Sequence, residues 1–208
     1  MTTPNADGDR LGAAPPGLPD ELFVRGDVPM TKREVRALTM STAGLRPGDR
    51  VLDVGAGTGT LSVEAALLCP EGSVVALERD PEALELVRAN ARRFGLTNLT
   101  AVAGEAPADF AALAPASFDR ILVGGGGSGL AEIIEALPDL LRPGGRIVCN
   151  TVCIETTATV TARLRRTPWI RFACIQASVA RGVPAGPLLR FEALNPVWIT
   201  SADLEGAS

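Results

Sequence analysis

The residues best suited to chemistry lie in VLDVGAGTGTLS, residues 51–62. Gly55, Gly57 and Gly59, with Ala56 and Thr58 between them, follow an apolar run ending at Asp53-Val54 and lead into a helix-forming stretch. Glycines at that spacing let the chain turn sharply and bring its backbone against a ligand with no Cβ in the way. Glu78 closes the next apolar run, where an acidic side chain can accept hydrogen bonds from both hydroxyls of a ribose. The spacing is G-x-G-x-G, not the G-x-G-x-x-G of dinucleotide-binding turns. Asp53 beside the loop opposes a pyrophosphate and suits a cationic or zwitterionic ligand. A plain βα turn explains the loop alone; loop, Glu78 and the flanking pattern together favour a ligand site.

A second feature is ILVGGGGSGL, residues 121–130, where Gly124, Gly125, Gly126 and Gly127 are consecutive. Such a run is either a linker or a place where something bulky must approach the backbone. The chain has no His and no Tyr, which removes the commonest general base and metal ligand. Cys149-x-x-x-Cys153 is not a zinc spacing, so no metal site is expected, and Cys69, Cys149, Cys153 and Cys174 read as buried free thiols. Lys32, the sole lysine, and Arg36 are i,i+4 on a predicted helix that also carries Arg33. With Arg181, in a predicted turn, they are candidates to bind carboxylates; a solvated surface is the alternative for each. Glu155 reads as a first-turn helix acid.

These groups need elements to hold them. The 208 residues suit one domain, and a 46% hydrophobic fraction allows a sizeable core. The spacing predicts a helix from Thr31 with Val35, Leu38 and Thr42 inward and Gly44 as stop. Strands are expected at 50–54, 73–78, 99–103, FDRILVG and RIVCNTV. Helices are expected at 59–69, from Asp80-Pro81 to Gly95, at GLAEIIEALPDLL with Pro138 tightening its end, and at ETTATVTARLRR. That alternation implies an α/β fold with a mostly parallel, doubly wound sheet. Two late β-like runs, separated by RGVPAGP, add an antiparallel C-terminal hairpin. The glycine run falls inside this unit, which argues against a linker. Residues 1–20 read as a flexible tail or linker remnant, 21–202 as the domain, and 203–208 as a tail.

With this loop, acid and alternation, residues 30–200 resemble the class I S-adenosylmethionine-dependent methyltransferases, whose Rossmann-like sheet carries an antiparallel hairpin strand. S-adenosylmethionine, with its sulfonium and amino group, is a ligand of the expected charge. AGEAP, with Gly104, Glu105 and Ala106, looks like the segment that lines the adenine. More closely, GLPDELFVRGDVPMTKREVRALTMS, VLDVGAGTGTLSVEAA, ILVGGGGSGLAEII and LNPVWIT together resemble the decarboxylating precorrin carbon-15 methyltransferases of cobalamin biosynthesis. Their fused aerobic type, the C-terminal half of precorrin-6Y C5,15-methyltransferase, is the nearer match. The resemblance implies methyl transfer to carbon 15 and loss of carbon dioxide from the ring C acetate. It makes Thr31, Gly55 to Gly59, Glu78 and Ala106 cofactor contacts and the glycine run an opening for a macrocycle. It also implies a homo-oligomer, a tetramer. The Pro/Gly/Ala-rich start reads either as a natural N-terminus or as the severed linker of an enzyme fused to a carbon-5 methyltransferase domain.

Methyl transfer to an electron-rich carbon needs alignment and exclusion of water more than a base. A chain without His or Tyr can run it, and no catalytic side chain is singled out. The competing readings are a methyltransferase acting on RNA or protein, and a non-catalytic nucleotide-binding module. A formal charge of −4 and the lack of a basic, aromatic-interleaved stripe count against nucleic acid. No apolar run is long enough to span a bilayer, and no signal-peptide core is visible, so a cytoplasmic protein without a membrane partner is expected.

Overall fold

The computed structural model describes residues 16–124 and 127–206. A short 3₁₀ turn, Asp20–Leu22, precedes helix α1, Arg33–Ala43, which stops at Gly44 in the left-handed conformation (φ 58°). Strand β1, Arg50–Val54, and helix α2, Thr60–Leu68, flank the glycine loop. Strand β2, Ser73–Glu78, leads to helix α3, Pro81–Arg93, whose first turn is capped by the Asp80 carboxylate accepting from Glu82 N. Strand β3, Leu99–Ala103, and strand β4, Phe118–Gly124, follow. Helix α4, Leu130–Ala136, ends in a 3₁₀ turn, Leu137–Asp139, where Pro138 tightens the chain. Strand β5, Leu141–Thr151, and helix α5, Ile154–Leu164, complete the alternation.

The main sheet has seven strands in the order β3-β2-β1-β4-β5-β9-β6, with β6 at Trp169–Ala177 and β9 at Val197–Leu204. All neighbours from β3 to β5 pair in parallel; β9 is antiparallel to both β5 and β6. Alternate residues serve opposite faces. Leu52, Ile121, Val123 and Ile147 pack with α4 and α5, while Val51, Leu122, Val148 and Ile199 pack with α1 and α2. A parallel sheet covered on both faces buries its strands almost completely, as the core of β1 and β4 does.

The expected doubly wound fold is present, with four differences. The antiparallel strand is not one arm of a simple hairpin, because RGVPA is itself strand β7, Ala180–Ala185. It pairs with β8, Leu188–Ala193, in a separate two-stranded ribbon that links β6 to β9. In α1, Leu38 is 40% exposed, and the inward stripe is Val35, Arg36, Thr39, Met40 and Ala43, because buried carboxylates draw Arg36 inward. Residues 17–20 are part of the fold and not tail. Gly17 N and Leu18 N donate to Glu64, and Leu18 and Asp20 are buried. The domain also runs past residue 202, since Asp203 and Leu204 are buried and Asp203 accepts from Arg146 and Arg171. Cys69 and Cys149 are buried thiols as expected, but Cys153 and Cys174 are exposed.

Candidate active site

The ends of β1 and β4 approach so closely that a Cβ on Gly55 would sit 2.3 Å from the Gly124 carbonyl oxygen, at a φ of 71°. No side chain fits there, which is why the loop starts with glycine. Gly55 N and Ala56 N both donate to Leu77 O, fastening the loop to β2. Glu78 faces it from the end of β2, accepting from Gly57 N (2.8 Å) with one oxygen and Asp80 N (2.9 Å) with the other. A carboxylate oxygen has two lone pairs, so both oxygens keep acceptor capacity for a diol. Thr58 is buried, and its carbonyl accepts from Asn90, which also holds both backbone groups of Val24. The segment leading to α1 is thereby strapped across the loop.

Strap, loop and strand ends enclose one cavity of about 950 Å³. That is at the top of the range for small-molecule sites, enough for more than one ligand. Thr31, Lys32, Gly55, Ala56, Gly57, Thr58, Glu78, Gly104, Glu105, Ala106, Gly124 and Gly127 all line it. The third-strand segment is therefore beside the loop, with exposed Glu105 paired to Arg79 at 2.9 Å. Gly127 has open space where a side chain would be, which agrees with a wide opening. Gly124 serves differently from that expectation: a Cβ there would face Gly55 O at 3.3 Å, so it permits loop contact more than substrate room. Gly125 and Gly126 lie outside the described residues.

Four other candidates do not line the cavity. Gly59 sits at the start of α2, packed on Val87. Asp53 lies beneath the loop, 1% exposed, with Oδ2 accepting from Ser62 and Oδ1 unpartnered among the described residues. Burial pushes its carboxyl up to about 6, opposed by the Ser62 hydrogen bond and reinforced by the charge of Glu78. A side chain so placed can reach a ligand in the cavity only through its field and not by contact. Arg36, expected to bind substrate, is fully buried and saturated by Glu64, Asp20, Thr31 O and Leu18 O, with its guanidinium 4.7 Å from the Phe23 ring centroid. A side chain with no solvent face cannot reach a substrate. Arg181 is on β7, not in a turn, and is engaged by Glu34 and Asp20. Glu155 occupies the first turn of α5 as expected.

No local sequence signal marks the far wall, at the end of β5 and the start of α5. Asn150, Thr151, Val152, Cys153 and Thr156 line it, with Val179, Leu194 and Asn195 from the chain around the ribbon. Asn150 is in register with Gly124, at the level where open α/β sheets bind ligands, and that rule applied to β5 would have found it. Its amide is oriented. Thr39 Oγ1 donates to Val35 O at 2.7 Å, so it accepts from Asn150 Nδ2 at 2.9 Å. A hydroxyl has one proton, so Asn150 Oδ1, 3.2 Å from the same Thr39 Oγ1, keeps its acceptor capacity, and one amide N–H is not used by Thr39. Among the described residues no group of three or more His, Cys, Asp or Glu converges on a metal position. Nor is any helix there long and apolar enough to cross a membrane.

This strand order, with a glycine loop after β1 and an acid ending β2, defines a class I S-adenosylmethionine-dependent methyltransferase. Residues 21–202 match the model of the precorrin methyltransferase domain, and the chain belongs to that family. It is 44% identical to a probable cobalt-precorrin-6B C(15)-methyltransferase (decarboxylating) of Pyrobaculum calidifontis, over 91% of this chain and 96% of the relative. The protein of that name from Saccharolobus solfataricus is 37% identical over 90% and 96%. The crystal structure of precorrin-6y C5,15-methyltransferase from Geobacter metallireducens superposes with a TM-score of 0.83, at 35% identity, covering 90% of this chain and 97% of that one.

Proposed function

We propose that this chain methylates carbon 15 of a precorrin with S-adenosylmethionine and promotes loss of carbon dioxide from the ring C acetate. The observation that carries the reading is one cavity of about 950 Å³, which supports a cofactor and a second ligand side by side. It is lined on one side by the glycine loop and Glu78 and on the other by Asn150, Thr151 and the ribbon root. The relatives' names supply the particular reaction.

In this reading Gly55 to Gly57 and Thr58 form the cradle, Glu78 accepts the ribose hydroxyls, and Gly104, Glu105 and Ala106 flank the adenine. Thr31 closes the site from the strap. The sulfonium supplies the methyl group, so this chain's residues need only align it with the substrate and exclude water. Lys32, at the cavity wall, offers a cation to the substrate's carboxylates. Asn150 offers a hydrogen-bonding edge to the substrate, and Gly127, with open space where a side chain would be, leaves the macrocycle room. We further propose a homotetramer, supported by Leu188, Leu189 and Phe191, each more than 70% exposed on the ribbon.

The test is incubation with S-adenosylmethionine and a carbon-5-methylated precorrin, with and without cobalt in the ring. The expected product has gained one methyl group and lost one carbon dioxide. Unchanged precorrin under conditions where S-adenosylhomocysteine binds refutes the reading. Tighter binding of NAD than of S-adenosylhomocysteine refutes the cofactor assignment too.

A further inference from the structure

The β7–β8 ribbon pairs only with itself among the described residues, and every residue of β8 is exposed. A two-stranded ribbon is marginal by itself in water, so its placement needs support beyond its own ladder: a neighbouring copy on its exposed outer face, and bonds within the chain at its root. Yet the chain at its root, Val179, Ala193, Leu194 and Asn195, forms one wall of the cavity. Leu194 N donates to Val179 O at 2.8 Å, which closes the root upon itself without tying it to the body.

The tie is Arg181. Its Nε and Nη2 donate to the two oxygens of Glu34 on α1, at 3.0 and 2.6 Å, and Nη2 also reaches Asp20 Oδ2 at 3.0 Å. Asp20 is buried, and its other oxygen accepts from Arg36 Nη1 (2.8 Å) and Arg33 N (3.0 Å). Arg36 in turn donates to the carbonyl of Thr31, in the strap. One run of charge-assisted bonds therefore joins the substrate-side wall to the cofactor-side strap through a single carboxylate.

We propose that Arg181 is a positioning residue, whose two-pronged grip on Glu34 and Asp20 holds the ribbon root in place as a wall of the substrate half of the cavity. The substrate half is assigned on the methyltransferase reading above. The fork geometry matters: a guanidinium fixes the direction of a carboxylate pair, whereas an ammonium supplies charge without direction. Both carboxylates are kept ionised for the grip. At Asp20 burial works to raise the carboxyl, and the bonds and charges of Arg36 and Arg181 outweigh it, leaving it below the usual range. At Glu34 the Arg181 hydrogen bond is the chief cause of a lowered value. The guanidinium itself does not line the cavity, so its effect on substrate passes through the ribbon.

The experiment compares the full chain with Arg181→Met and Arg181→Lys by hydrogen exchange over residues 177–195, cofactor affinity and steady-state kinetics. Arg181→Met is expected to speed exchange at the ribbon root and raise the precorrin KM about fivefold, the order of one partly exposed ion pair. Affinity for S-adenosylhomocysteine should stay within about twofold, since the glycine loop and Glu78 are untouched. Arg181→Lys should fall between the two. Unchanged exchange in Arg181→Met overturns the proposal, as does faster exchange with an unchanged KM. A matched fall in cofactor affinity and melting temperature also overturns it, because that pattern marks general destabilisation. If the wild-type chain is inactive on every precorrin, the functional reading fails, and ribbon exchange alone decides whether Arg181 holds the ribbon.

Discussion

The two halves of the cavity are built on different principles. The half we propose for the cofactor is made of nearby chain: β1, its loop, the end of β2 and the end of β3, shaped mainly by backbone groups and glycines. The half we propose for the substrate is assembled from Lys32, the ends of β4 and β5, the start of α5 and the ribbon root, which only the tertiary fold brings together. A backbone-built site tolerates little change and binds one ligand chemistry. A side-chain wall can be retuned residue by residue, which suits the part that chooses the methyl acceptor.

Breaking the frame common to both halves should have the largest effect. Arg36→Met leaves buried Glu64 with backbone donors and no counter-charge, and Asp20 with Arg181 alone as its counter-charge, so stability should fall by about 3–5 kcal/mol. A denaturant melt checks this; a loss under 1 kcal/mol would mean the carboxylates find water. Within the cofactor half, Gly55→Ala forces a Cβ against Gly124 O, an overpacking cost of about 1–3 kcal/mol. Calorimetry should show roughly 10- to 100-fold weaker S-adenosylhomocysteine binding.

The halves should also separate by readout. Glu78→Ala should weaken the cofactor at least about tenfold, as expected for hydrogen bonds to a charged group. Asn150→Ala should raise the precorrin KM by about three- to tenfold, one neutral hydrogen bond, and leave cofactor affinity unchanged. Loss of both ligands in either variant would erase the division drawn here.

The smallest effect is a pH dependence confined to the cofactor half. Asp53 titrates at about 6 in the folded chain, against an ordinary 3.8. Above that value it is ionised and favours a cationic ligand; below it the carboxyl is neutral, and cofactor affinity should decline as pH falls. The sign for folding is opposite. The unfolded chain gives up this proton first, so Asp53 costs stability as pH rises through its two values. Calorimetry from pH 5 to 8 should show the affinity change in wild type and a flat profile in Asp53→Asn.

The same division explains what could be read from the sequence. Strands 50–54, 73–78 and 99–103 and the Asp80-Pro81 helix start were legible because their signals are local: apolar runs, caps and turn glycines. The glycine loop and Glu78 were legible for the same reason. Arg36 is not legible as a buried residue, because a charged residue on a helix reads as available to solvent or substrate until Asp20 and Glu64, far off in sequence, face it in the fold. Leu38 turns outward for the same reason. RGVPAGP reads as a turn by its glycines and prolines, and only pairing with β8 makes it a strand. Asn150 carries no local signal, since its meaning comes from standing level with Gly124.

The central claim is that the wide wall beside the cofactor cradle serves a precorrin. Mass spectrometry of a carbon-5-methylated precorrin incubated with the chain and S-adenosylmethionine tests it most directly. The account predicts a product with one methyl group gained and one carbon dioxide lost, together with S-adenosylhomocysteine in equal amount. Recovery of unchanged precorrin, from a chain that binds S-adenosylhomocysteine, would contradict it.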